Sequence, residues 1–452
     1  MTSVPVILGF VASIAHTVRI DHLPGDQRIG LDPFVVGSLS GLLWKGNDRT
    51  LAGFGPVRRL ALTRPGGFAA VQARLADLGS DTSPGDPAAM SPPADIPGTG
   101  PVAFASLDFD PDQDGELLVP RFVICANPNG HRWLTMVESD DGAPGGTLGP
   151  GSDAASVVRL AQQAVDELEA ARSSDPEPTE MTLRSSLAPE YWRDRIVGSV
   201  RDMIRCGDLD KCVLARELVV TADSPFDPAT VVTRLGRTFP TANVFLVDGF
   251  IGASPELLVA RLGDLVRAHP LAGTLPRSTD PDRDRTLAAE LLASDKNRWE
   301  HQITIDWLLD NLLPFCSYVD AEPEPSIVSL ANVHHLGTRV EGRLSSPPAS
   351  VLELVDALHP TPAVGGDPQK AAIDLIADME QAQRDRYGGP TGWVDGNGNG
   401  EFAVSVRCAQ FEAPDRVRLF AGVGVVGDSD LQAELDETRA KFQAILGALI
   451  QP

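Results

Sequence analysis

Cysteine is scarce in this chain and basic residues are outnumbered. Five cysteines, Cys125, Cys206, Cys212, Cys316 and Cys408, are scattered over 452 residues. Their number is odd and no CxxC pair occurs, so they read as reduced thiols, mostly in the core, rather than a disulfide framework. Lysine and arginine total 38 against 62 aspartates and glutamates, a formal net charge of -24. That deficit argues against nucleic acid and against an anionic membrane surface as partners. An acidic protein that takes an anionic substrate must concentrate positive charge locally or recruit a metal. A long hydrophobic run is also missing. The apolar opening VPVILGFVASIA is too short to cross a bilayer and lacks the basic lead-in of a signal peptide, so a strand or buried segment is expected there. The protein is expected to be cytoplasmic.

What is present is a large globular chain. At about 150 residues per domain the length suggests roughly three domains, but large α/β and α+β enzymes exceed that size as single units. A hydrophobic content of 42% is enough for a sizeable core. Residues 80–101, 140–153 and 171–180 are rich in Pro, Gly, Ser and acidic residues and read as surface connections. No internal repeat is visible. Segments such as ELLVPRFVICA, KCVLARELVV, ANVFLVDGFIGA, ELLVARLG, EFAVSVRCAQF and RVRLFAGVGVV carry strand patterns. One long helix is expected over RDRTLAAELLASDKNRWEHQITIDWLLDNL, with others at APEYWRDRIVGSVRDMIRCGDL, QKAAIDLIADMEQAQR and DLQAELDETRAKFQAILGALI. Strands come in adjacent runs without strict βαβ alternation. That favours an α+β fold of antiparallel sheets with helices packed outside.

Several residues could carry chemistry. In AELDETRAKF, Glu434 and Glu437 stand three apart and Lys441 follows Glu437 by four. This is either a solvated face with an ordinary ion pair or two carboxylates aimed inward. Glu300 and His301 in DKNRWEH interrupt an amphipathic pattern. Three glutamates on two helices would make an all-oxygen site of the kind that suits Mg²⁺. Glu256 in GASPELLVAR follows a strand directly and sits at a strand-to-strand corner. It is either a turn carboxylate or, in a partly buried site, a proton donor. Lys211 in KCVLARE shares a strand face with Val213 and Ala215. Outward it is solvated; inward, desolvation favours the neutral amine and makes it a candidate base. HPLAGTLPR and AGVGVVGDSD read as glycine-bearing turns whose N–H groups could face an anion. Arg407 is expected mid-strand, where burial would require a partner; a carboxylate bound in its planar fork would serve.

The ordered motifs KCVLAR, GASPELL, HPLAGTLPR, DKNRWEH, VHHLGT, LHPTPAVGG, EQAQRDRYGG, AVSVRCA, AGVGVV and AELDETRAK resemble those of the chorismate-utilising enzymes. These are the isochorismate, salicylate, anthranilate and aminodeoxychorismate synthases. The motifs run from Lys211 to Lys441. The resemblance implies two stacked antiparallel β-sheets with helices outside, one active site and Mg²⁺. Residues 1–185 would contribute sheet strands and 186–452 the chorismate-binding catalytic region, within one integrated domain.

Within the family, LHPTPAVGG is similar to the isochorismate synthase version, with Ala363 where the anthranilate and salicylate types carry threonine. The resemblance implies Lys211 as the base that activates water and Glu256 as the acid that protonates the C4 oxygen. Glu300, Glu434 and Glu437 would hold the metal. Gly273, Thr274 and Lys441 would receive the ring carboxylate, and Tyr387, Arg407 and Gly424 the enolpyruvyl carboxylate. His335 would lie near the C2–C4 side of the ring. The product would feed menaquinone or siderophore biosynthesis. No amidotransferase partner is expected, and the protein would be a monomer or weak homodimer. Lys296-Asn297 departs from the Lys-Asp common in the family, and Trp299 is a bulky neighbour for Glu300. The rivals are a lyase of the same family and a chorismate-binding regulator without turnover.

Overall fold

The computed structural model describes residues 14–21, 31–78, 96–138, 154–172 and 176–450. The expected loop at 140–153 lies outside these residues, as do most of those at 80–101 and part of 171–180. Of the apolar opening, only the start of the strand Ile14–Arg19 is described.

Antiparallel pairing links strands in two long runs. The first runs Ile14–Arg19, Arg132–Glu138, Gly115–Ala126, Thr50–Leu62, Leu42–Lys45, Asn243–Val247, Phe250–Ser254, Cys408–Ala413, Arg416–Val425, Lys211–Ala222 and Met181–Ser185. The second runs Val102–Ser106, Pro390–Asp395, Gly400–Val404, Leu257–Leu262, Leu265–His269, Val340–Leu344 and Cys316–Ala321. They join where Val102–Ser106 pairs with the long strand Gly115–Ala126.

Side-chain alternation stacks the two runs. Phe245, Val247 and Phe250 pack with Val259 and Phe402 of the other run. Their neighbours Val244, Leu246, Ile251 and Ala253 point the opposite way, onto Val231 and Leu235 of the helix Pro228–Thr238 and onto Phe442, Ile445 and Leu449 of the helix Leu431–Ile450. A period of two therefore fills both an inter-sheet core and an outer helix layer. Between the sheets, the Trp44 indole N–H donates to Glu401 at 2.9 Å.

Three expectations are corrected. The single long helix is two, Pro281–Ala293 and Asp295–Leu312. Ser294 is the N-cap of the second, and its hydroxyl accepts from Asn297 N, an alternative to continuing the first helix. The strand expected through Arg407 is broken into Gly400–Val404 and Cys408–Ala413, with Arg407 at φ 53 between them. The two glycine-bearing turns are largely strand: Leu271–Pro276, and the end of Arg416–Val425.

A small third sheet was not foreseen. Leu271–Pro276, Val333–Gly337 and Ser326–Ser329 pair with one another, apart from the two large runs. Pro270 precedes it and has no N–H with which to extend the ladder of Leu265–His269. The four buried cysteines, Cys125, Cys212, Cys316 and Cys408, are free thiols, and Cys206 is exposed. Among the described residues no helix is long and apolar enough to cross a membrane.

Candidate active site

The strand Lys211–Ala222, the end of Arg416–Val425, the small third sheet, and the helices Asp295–Leu312 and Leu431–Ile450 meet around a cavity of about 360 Å³. Its lining contains all thirteen residues that the resemblance assigns to the site: Lys211, Glu256, Gly273, Thr274, Glu300, His335, Ala363, Tyr387, Arg407, Gly424, Glu434, Glu437 and Lys441. With Lys296 added, four cations stand in one cleft of a strongly acidic protein. Positive charge is therefore concentrated where an anion would sit.

Lys211 opens its strand and points inward, 1% exposed. Its Nζ lies 2.9 Å from Glu300 Oε1. This approach depends on Gly424 in the neighbouring strand. A Cβ there would come within 2.5 Å of Glu300 Oε1 and 2.9 Å of Lys211 Cε. Gly424 therefore makes room for the lysine and the carboxylate to meet.

Glu256 sits at the corner between Phe250–Ser254 in the first run and Leu257–Leu262 in the second. Ser254 Oγ accepts from Glu256 N and donates to Val404 O, and Val404 N donates to Glu256 O. The corner is thus pinned from two sides. The carboxyl is buried, and its Oε1 has no hydrogen-bond partner among the described residues. Burial pushes its pKa up to about 7; the Leu271 backbone and the cations Lys211, Arg407 and Lys441 offset part of that rise.

Gly273 adopts φ 76 where the pairing register shifts between Ala272 and Thr274. The bulge turns this stretch toward the cavity, and only glycine takes that φ without strain. His335 pairs across from Thr274. Its Nδ1 lies 3.0 Å from Thr274 Oγ1, and its Nε2 accepts from Arg407 Nη2 at 2.8 Å. Burial, with Arg407 and Lys441 nearby, holds its pKa well below the usual histidine value, so the ring is neutral. The kink at Arg407 carries its guanidinium into the cavity. Arg407 Nε is buried and has no partner among the described residues. The partner expected for a buried Arg407 is, among the described residues, the neutral His335. Tyr387 stacks on Phe420, with centroids 5.1 Å apart.

Both glutamates of the last helix face inward, and Lys441 does as well. Each metal-candidate carboxylate has a lysine beside it. Lys296 Nζ is 3.5 Å from Glu434, Lys441 Nζ is 2.6 Å from Glu437, and Lys211 meets Glu300. Burial, then the proximity of Glu437, raises the Glu434 pKa to about 7, and Glu300 adds to the rise. Mutual repulsion of this kind marks a place where a cation would be stabilised. Among the described residues, however, no three His, Cys, Asp or Glu side chains are gathered closely enough to grip an ion as they stand.

His301 separates from Glu300: it lies beneath the site, bonded through Nε2 to Thr338 Oγ1 at 2.7 Å. Trp299 is half exposed and does not line the cavity, so its bulk does not crowd Glu300. Lys296 and Asn297 have no role among the sequence expectations, where only Asn297 stands out as a departure. Both line the site, and Asn297 packs against the Gly273 bulge. Val213, Pro255, Leu275, Val364 and Val406 also line it and went unassigned. Each lies within two residues of an identified position, a signal that could have found them.

The chorismate binding enzyme family matches residues 39–450. The chain is 38% identical over 366 residues to the provisionally named isochorismate synthase MenF of Mycobacterium tuberculosis, covering 78% of this chain and 87% of that protein. It is 32% identical over 369 residues to the isochorismate synthase MenF of Bacillus subtilis, covering 77% and 75%. The solved menaquinone-specific isochorismate synthase MenF of Escherichia coli superposes with a TM-score of 0.74 at 23% identity, over 98% of this chain and 95% of that one, a likeness of fold. With a match across nearly its whole length and an inward-facing lysine, carboxyl and arginine around one cavity, this chain belongs to the chorismate binding enzyme family.

Proposed function

We propose that the protein is an isochorismate synthase, an isomerase that moves the chorismate hydroxyl from C4 to C2. The observation that carries the mechanism is a buried lysine and a buried carboxyl with a pKa near 7 on the wall of one cavity. The reaction needs a base and an acid at the same time. Water adds its oxygen to C2 and gives a proton to Lys211 Nζ. The ring double bonds shift, the C4–O bond breaks, and Glu256 delivers its proton so that the old hydroxyl leaves as water. Lysine ends charged and the carboxyl ionised, and proton return resets both.

Arg407, with its unpartnered Nε, and Tyr387 suit the enolpyruvyl carboxylate. Gly273, Thr274 and Lys441 suit the ring carboxylate. His335 is bonded to Arg407, so it supports that arginine besides facing the ring. Ala363 offers no hydroxyl beside the substrate. The strand Leu42–Lys45 pairs with Asn243–Val247, in keeping with one integrated domain.

Glu300, Glu434 and Glu437 would hold Mg²⁺. The donors are all hard carboxylate oxygens, and their repulsion around Glu434 is what a divalent cation relieves. When bound, the ion would offset carboxylate charge and orient the anionic substrate. Glu437→Gln is expected to raise the Mg²⁺ concentration for half-maximal activity about tenfold or more. An unchanged Mg²⁺ titration would remove Glu437 from the set.

Incubation with chorismate and Mg²⁺, followed by product identification, tests the function. Isochorismate without pyruvate is expected. Stoichiometric pyruvate would make the protein a lyase of the same family. We infer that the product serves menaquinone or siderophore formation.

A further inference from the structure

The motif EQAQRDRYGG supplies Tyr387 to the cavity, but Glu380 and Arg384 have no part in the chemistry described so far. Both are buried, with side chains 7% and 3% exposed, and they form an ion pair. Arg384 Nε donates to Glu380 Oε2 at 2.8 Å and Nη2 to Oε1 at 2.5 Å. Phe109 covers the guanidinium, its ring centroid 4.4 Å away.

The place this pair occupies is informative. One edge of the strand Lys211–Ala222 is paired without interruption with Arg416–Val425, from Cys212 to Thr221. The other edge is paired by Gly366–Asp367 at Lys211 and Cys212, and by Met181–Ser185 only from Leu218 onward. Between them lies a gap in the ladder, next to the proposed base. Val213 N–H donates to Gly365 O across it. The Val213 carbonyl accepts from Arg384 Nη2 at 2.7 Å, and Ala215 N–H donates to Glu380 Oε1 at 2.7 Å. Guanidinium and carboxylate thus alternate donor and acceptor along the edge as a neighbouring strand would. Arg384 Nη1 also donates to the Val364 carbonyl at 2.8 Å. The same fork therefore holds the turn that carries Ala363 and Val364 into the cavity.

We infer that Glu380 and Arg384 are positioning residues, a side-chain substitute for a missing strand that sets the Lys211 strand against the Ala363–Val364 wall. The inference rests on the proposed reaction. The pair fixes where the amine stands relative to the ring; of the groups proposed to hold the carboxylates it touches Tyr387, whose ring centroid lies 5.8 Å from the Arg384 guanidinium carbon. Arg384→Lys keeps the buried charge that Glu380 needs but loses the planar fork. It is expected to fold with an unchanged melting temperature to within a few degrees. Its kcat per folded site should fall about tenfold to a hundredfold, as displacement of a reacting group by an ångström does. Its KM should stay within about threefold of wild type, because Arg407 and the proposed ring-carboxylate groups Gly273, Thr274 and Lys441 keep their own supports.

A kcat within about threefold of wild type would overturn the inference, as would a rise in KM with kcat unchanged. Should Arg384→Lys be insoluble, Glu380→Gln carries the same test. It keeps an oxygen for Ala215 N–H and removes one arm of the fork, and the same kcat loss at steady KM is expected. Loss of folding in both variants would also overturn the inference, since the pair would then be scaffold alone. Turnover of chorismate by the wild type to another product would sink the functional reading. The ratio of variant to wild-type kcat would still decide the positioning role.

Discussion

Lys211→Ala is expected to lower kcat by about a thousandfold, within the range of 10²–10⁴ contributed by a positioned base. Chorismate should still bind, because the groups proposed to receive its two carboxylates are elsewhere on the wall. The reason for so large an effect is burial. At 1% exposure the amine stands where a solvent base cannot easily replace it. Its strand is held from Cys212 onward by the ladder to Arg416–Val425, and Lys211 itself pairs with Asp367, so water can be activated only where that strand puts the nitrogen. The substitution also leaves Glu300 without the lysine 2.9 Å away. The measurement therefore pairs steady-state kinetics with chorismate binding by calorimetry. Retained binding with lost turnover supports the assigned role. Turnover within tenfold of wild type would show that some other group takes the proton.

Glu256→Gln is the second large effect, again about a thousandfold in kcat. Glutamine preserves shape and hydrogen bonding but has no proton to give to the departing oxygen. A pH profile sharpens the test. Burial raises the carboxyl pKa to about 7, so the acid is in its working, protonated form below that value and is lost as pH rises through it. Wild-type kcat/KM, which reports the free enzyme, should therefore decline on the alkaline side of about pH 7. In the residual activity of Glu256→Gln that limb should be missing. An alkaline limb that survives the substitution would assign it to another group.

Much of the site was legible because its chemistry is tied to local patterns. The strand beginning at Lys211 and the corner at Glu256 were readable from alternation and from Ser-Pro-Glu after an apolar run. The two glutamates and the lysine of AELDETRAKF were visible as a set, but their direction was not. A helix with carboxylates three apart looks the same whether it faces water or a cavity. The misreadings share a physical cause. Gly273 and Gly424 were taken for turn glycines, since glycine most often marks a turn. Here one sits in a bulge, and the other clears space for side chains from other elements. Arg407 was placed mid-strand because AVSVRCA alternates well, yet its backbone turns to φ 53 between two strands. The helix break at Ser294 carried its own signal, a serine followed three residues later by Asn297, and was overridden by a long amphipathic pattern.

The sequence by itself determined the fold class, the acidic character and the run of motifs, and the resemblance those motifs carry picked out every proposed reacting group. These depend on residue type and short-range spacing, which a chain displays before it folds. The tertiary structure decided which way those groups face and what they meet. It turned Lys211 inward onto Glu300, gave Arg407 a neutral histidine for a partner, and fitted the Glu380–Arg384 pair into a gap between strands. Such contacts join positions up to 357 residues apart, as Trp44 and Glu401 show. No local pattern encodes them, because they exist only once distant strands have been brought side by side.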